Sequence, residues 1–109
     1  MSTSPDVAMT MQRVRREHIR WYLMVALNVS RPAGAATVVL LNVIQANYPD
    51  ATEHEIRREL DYLLDRELIE IDKRPDGRWH CELNRLGVDL VEYTIPCEPG
   101  IARPACMHG

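Results

Sequence analysis

Apolar residues along this chain switch between a spacing near 3.6 and a spacing of two, and each switch marks an element. Nothing breaks a helix over residues 5–29, where Ile19, Leu23, Ala26 and Leu27 recur as a core stripe. Ser4-Pro5-Asp6 reads as its start, with Ser as N-cap, Pro at the first helical position and Asp at the positive end. Ser30-Arg31-Pro32 ends it, because the residue before Pro is pushed out of the helical region. Residues 35–47 carry two signals. Thr37, Val38, Val39, Val43 and Ile44 favour a strand by propensity, whereas length and the spacing of Thr37, Leu40, Leu41, Ile44 and Tyr48 favour a helix, which is the expectation here. Tyr48-Pro49-Asp50-Ala51 makes a turn. Residues 52–67 form the clearest helix: Thr52 and Glu55 make a capping box, and Ile56, Leu60, Leu63 and Leu64 form one buried stripe.

The period then changes to two over residues 68–72, predicting a strand. Arg74-Pro75-Asp76-Gly77 is a tight turn, with Pro presetting φ and Gly closing it. Trp79, Cys81 and Leu83 alternate with His80 and Glu82 as the returning hairpin strand, and Asn84 caps a short helix running to Val91. Residues 95–109 hold Pro96, Pro99 and Pro104 with two glycines, and read as an extended tail. The expected organisation is one domain over residues 1–94, with residues 1–12 as a flexible or helical extension, followed by the tail over 95–109.

A second stripe on the first helix runs through Val7, Met11, Val14, His18, Trp21 and Val25, alternating steps of four and three away from the core stripe. It serves either as a dimer seam or as a surface that packs on the body under the tail. Val39 and Val43, apolar yet off the core stripe of the second helix, favour a homodimer through the first helix.

Composition narrows the class. The 109 residues, 46% hydrophobic and 27% charged, suit one globular domain. The longest apolar run, residues 21–27, falls far short of a membrane span, and no secretory leader is expected. Three cysteines at irregular spacing argue against a disulfide framework and for a reducing, cytoplasmic location. Cys81, Cys97, Cys106, His80 and His108 match no zinc-ligand spacing, and Cys81 points with Trp79 and Leu83, as a small buried apolar residue would. No Ser/His/Asp arrangement or Gly-rich phosphate loop stands out, so neither an enzyme nor a metal or other cofactor is expected.

The net charge of −3 hides a gradient. Residues 1–31 carry five arginines against Asp6 and Glu17, while residues 32–67 carry three arginines against seven acids. Cations return at the hairpin tip as Lys73, Arg74 and Arg78, opposed there by Asp76.

The order helix, helix, turn, helix, strand, tight turn, strand, short helix is that of a winged helix-turn-helix, an α+β and mostly α class with a two-stranded hairpin wing. Residues 56–69, IRRELDYLLDRELI, resemble the recognition helix and first wing strand of ArsR- and MarR-type regulators. They also resemble the corresponding helix of small winged-helix proteins encoded in Mu-like phages and prophages. That likeness continues through LNRLGVD at 83–89 and PGIARP at 99–104, and covers roughly residues 16–104. It implies a winged-helix fold and DNA binding. Two departures stand out: Glu67 occupies the position usually held by Gly after the recognition helix, and the clustered cysteines of the ArsR metal-sensing box are absent.

On this reading the side of the third helix opposite its buried stripe presents His54, Arg58, Asp61, Tyr62 and Asp65, with Arg57 on the flank. The residues expected to contact double-stranded DNA are His54, Arg57, Arg58 and Tyr62 of this helix and Lys73, Arg74 and Arg78 of the wing. The helix also carries six acids against three arginines, and pairs such as Glu53 and Arg57 equally serve as i,i+4 supports on a solvated face. Two readings follow: a transcription regulator of phage type acting on DNA, or a winged-helix module that docks a protein through its acidic third helix.

Overall fold

The structure is a computed structural model that describes residues 5–105. Its elements are α1 (Pro5–Val29), β1 (Ala35–Ala36), α2 (Thr37–Gln45), α3 (Glu53–Asp65), β2 (Ile69–Lys73), β3 (Trp79–Leu83) and α4 (Arg85–Val91). The class is mixed α+β and mostly helical, with four helices and one antiparallel three-stranded sheet among the described residues. Ser4, read as a cap, and Cys106 and His108 lie outside the described residues.

The buried face of α1 runs through Ile19, Leu23, Met24 and Leu27. It meets Leu40 and Ile44 of α2, Ile56, Leu60 and Leu63 of α3, Ile69 and Cys81 of the sheet, and Leu90 of α4. Each such side chain contributes about 1.5–3 kcal/mol by leaving water. Met24 replaces the half-buried Ala26 in the expected stripe. Among the described residues no helix is long and apolar enough to cross a membrane.

The expected helix over 35–47 is shorter, and its first two residues belong to the sheet. Ala35 and Ala36 pair with Cys81 and His80, so the sheet order is β1-β3-β2 rather than a two-stranded hairpin. The reason is tertiary: β3 offers a free edge, and the His80 imidazole Nε2 donates to Ala33 O across 2.8 Å to hold the approaching chain. The helix begins at Thr37, whose hydroxyl donates to Trp79 O. The turn at Tyr48 forms as expected, with Ala51 N–H donating to Tyr48 O.

Thr52 caps α3 by accepting from the Glu55 N–H at 3.2 Å. The reciprocal half of the expected capping box is absent, because the Glu55 carboxylate turns to Arg15 instead. At the other end, Leu68 N–H donates to Leu63 O and Glu67 N–H to Leu64 O, the two bonds of a Schellman motif. Glu67 therefore takes the left-handed conformation that Gly usually fills, with φ of 61°. The hairpin closes as expected: Gly77, at φ 88°, donates to Arg74 O, and Arg74 N–H donates to Arg78 O. Asn84 caps α4 by accepting from Gly87 N–H at 2.8 Å.

The segment after α4 has no helix or strand over residues 95–105, and it folds back over α1 and α3. Arg20 Nη1 donates to Gly100 O at 2.9 Å, Arg66 Nη1 to Pro99 O, and Ala102 N–H to Glu17 O. Ile101 is buried. Gly100 lies at φ 116° against the Tyr62 hydroxyl, where any Cβ would collide.

Candidate functional site

The amphipathic pattern of α3 turns His54 and Arg58 to solvent. Beside them lies the tip of the hairpin, which runs back along the helix from its C-terminal end, and three contacts fix it there. Arg57 Nη2 donates to Gly77 O at 2.6 Å, its guanidinium lies 4.6 Å over the Trp79 ring, and Lys73 Nζ reaches Asp61 at 3.2 Å. His54, Arg57, Arg58, Asp61 and Trp79 line one cleft of about 340 Å³ between helix and hairpin. A second cleft of about 510 Å³ opens between the start of α2 and the hairpin tip, lined among others by Arg57, Arg78 and Trp79.

The expected site residues divide. His54, Arg58, Lys73, Arg74 and Arg78 are exposed, with His54 and Arg58 in the first cleft and Arg78 in the second. Arg57 is a brace: besides Gly77 it pairs with Glu53 at 2.9 Å, and its Nε is buried without a partner. Tyr62 does not join that exposed set. It lies half-buried beneath the returning C-terminal segment, with the Arg20 guanidinium 3.5 Å from its ring centroid and Arg66 donating to its hydroxyl at 3.0 Å. The helical spacing placed it on the side opposite the buried stripe, and a partner 38 residues further along the chain, Gly100, covers it there.

Four of the five acids of α3 are engaged by cations. Glu55 accepts both Arg15 Nε and Nη2, at 2.8 and 2.9 Å, and Arg15 also bridges to Asp50. Glu59, only 1% exposed, accepts Arg20 Nε at 2.9 Å. Glu53 holds Arg57 and Asp61 holds Lys73. Asp65 and Glu67, at the C-terminal end, remain exposed. Hydrogen bonding to Glu55 raises the Arg15 guanidinium pKa above its ordinary value, with burial opposing and Asp50 reinforcing. Arg15 also lies 4.8 Å from the centroid of Tyr48, whose hydroxyl pKa is raised mainly by burial. On the hairpin, Arg74 pairs with Asp72 at 3.2 Å and Arg78 with Asp76 at 3.7 Å, all four residues exposed.

Residue-type reasoning missed Arg15 and Arg20 as neutralisers of the third helix. The signal available was the gradient itself, an arginine-rich first helix against an acid-rich third one. It also missed Trp79 as the platform on which Arg57 and Lys73 both rest.

Cys81 is fully buried, and burial pushes its thiol up to about 11, with Arg57 opposing. Among the described residues, no group of three or more His, Cys, Asp or Glu side chains is arranged to hold a metal. The apolar second stripe of α1 also divides. Met11 (65% exposed) and Val14 (40%) face solvent, while Trp21 meets the Tyr93 ring edge-on at 6.4 Å. Further along, Val25 and Val29 of α1 and Val39 and Val43 of α2 line an apolar groove of about 320 Å³. No protein-family model matches the chain, and no curated protein matches it.

Proposed function

We propose that the chain is a DNA-binding protein, a small transcription regulator of phage type. In this reading α3 and the β2–β3 hairpin act as the recognition helix and wing of a winged helix-turn-helix, and two copies pair through α1. The observation that carries it is the distribution of charge on α3. A helix with five acids is a poor visitor to phosphates, because affinity for DNA depends mainly on neutralising them. Yet the acids of its N-terminal half are each engaged by a cation, two of them from α1, and the exposed residues of that half include His54 and Arg58. Recognition helices present this end to base edges. Arg58 suits a guanine edge, and Lys73, Arg74 and Arg78 suit the phosphates beside it. The exposed Met11 and Val14 and the groove at Val39 and Val43 support the self-association.

The test is fluorescence anisotropy with random duplex and with DNA from the gene's own locus, at low and physiological salt. Arg74→Ala weakens both equally and lowers the salt slope by about one. Arg58→Ala costs on the order of 1–3 kcal/mol on the specific site and relaxes preference at one position. Absence of binding to either duplex at low salt overturns the reading. It would leave the second one, a winged-helix module for a protein partner, which the acid pairing of each hairpin cation favours.

A further inference from the structure

Beside the proposed DNA face, α1 carries two arginines, Arg13 and Arg16, that make no ion pair among the described residues. Arg15, Arg16 and Arg58 converge with Gln12 and Glu55 on one notch of about 330 Å³. Both oxygens of Glu55 are engaged by Arg15, so this acid has no oxygen left without a bond. Among the described residues Arg58 pairs only with Glu59, at 3.4 Å, and that carboxylate is already engaged by Arg20. Arg16 and, one helical turn earlier, Arg13 have no hydrogen-bond or ion-pair partner among the described residues. Guanidinium groups gathered this way repel one another and gain nothing from the fold. Their fork of donors matches the oxygens of a phosphate.

We infer that Arg13 and Arg16 of α1, together with Arg58, form a second phosphate-binding strip that clamps the DNA backbone on the side of α3 opposite the hairpin. The inference rests on the DNA-binding reading and extends its contact surface to a helix outside the recognition helix and the wing. Two features select a duplex backbone as the occupant. The cations form a line along α1 leading to Arg58, rather than a closed cup, and a line suits a polyanion. Arg58 also belongs to the exposed ridge of α3, so the strip is continuous with the proposed face.

The variant Arg13→Ala/Arg16→Ala removes one exposed and one half-buried side chain, neither with a hydrogen-bond or ion-pair partner among the described residues, so its thermal melt stays close to that of the wild type. Binding to a labelled duplex is followed by anisotropy across a salt series. The double variant lowers the slope of log affinity against log salt by about 1.8, at about 0.9 per phosphate contact, and does so equally for random and locus DNA. Arg16→Lys in the Arg13 wild-type background keeps most of the slope. Arg85→Ala, removing an exposed arginine at the start of α4, leaves it unchanged. An unchanged slope in the double variant, with the wild type still binding, overturns the strip and leaves the DNA reading standing. An equal drop in Arg85→Ala also overturns it, because net charge alone would then account for the effect. A wild type that binds no duplex overturns both. Inorganic phosphate at matched ionic strength leaves the wild-type melt where it was; a melt raised by phosphate in the wild type but not in Arg16→Ala assigns the notch to a small anion and overturns the backbone clamp.

Discussion

Replacing Arg20 with alanine removes a guanidinium that joins α1, α3 and the C-terminal segment. Its Nε lies 2.9 Å from Glu59 Oε1, and Glu59 is 1% exposed. The other cation near that carboxylate, Arg58, sits at 3.4 Å with its own side chain 59% exposed, which makes it a weak substitute. Breaking a buried pair by removing one partner costs about 3–5 kcal/mol, because an uncompensated charge stays behind. The stack on Tyr62 and the bond to Gly100 O would each add about 1 kcal/mol in isolation, but the three contacts share one side chain and do not sum. The expected loss is therefore about 3–5 kcal/mol, a large part of the stability of a small domain. It lowers Tm by roughly 15–30 °C. Urea unfolding followed by far-UV circular dichroism measures it. A second variant separates charge from packing. In Arg20→Ala/Glu59→Leu the stranded carboxylate is gone, and at least half of the loss returns. A loss below about 1 kcal/mol for Arg20→Ala, or no recovery in the double variant, refutes the reasoning.

The remaining expectations address other parts of the molecule. Glu67→Gly relieves a left-handed non-glycine residue and stabilises the protein by about 0.5–1 kcal/mol, read as a higher urea midpoint at unchanged slope. The folded-state pKa of Cys81 is raised from 9.0 to about 11, so its contribution is present below pH 9 and is lost as pH rises towards 11; the wild type therefore loses about 2–3 kcal/mol more than Cys81→Ala across that window, measured by urea unfolding at each pH. Val14→Glu places a charge in the proposed α1 seam and converts dimer to monomer in sedimentation at micromolar concentration, while its thermal melt at high dilution matches the wild type because Val14 is already 40% exposed. A wild type that sediments as monomer at that concentration removes the seam.

What could be read from residues was what local chemistry dictates. Ile56, Leu60 and Leu63 of the expected stripe, the Thr52 cap, the Arg74–Gly77 turn and the Asn84 cap each lie within one element or one turn and took their expected places, while Leu64 of that stripe is only half-buried. The misses are long-range. Ala35 and Ala36 carry no strand propensity and become a strand by pairing with His80 and Cys81. Tyr62 looked exposed because the residue covering it, Gly100, arrives from the far end of the chain. The acidity of α3 left two readings open because Glu55 and Glu59 find Arg15 and Arg20 across 40 and 39 positions. Only the Glu53–Arg57 pair, at i,i+4, was legible locally. The cations of the site were thus named from sequence, while which of them are engaged by the fold had to come from packing. Arg57 was the instructive case: its chemistry fits a base edge, but it holds the hairpin tip instead.

The central claim is that the N-terminal half of α3 and the hairpin meet DNA together. Nuclear magnetic resonance of the isotope-labelled protein, titrated with duplex at low salt, tests it residue by residue. The account predicts amide shifts concentrated at residues 54–58 and 73–79. Shifts confined to the apolar groove of α1 and α2, or no shifts at saturating duplex, would contradict it.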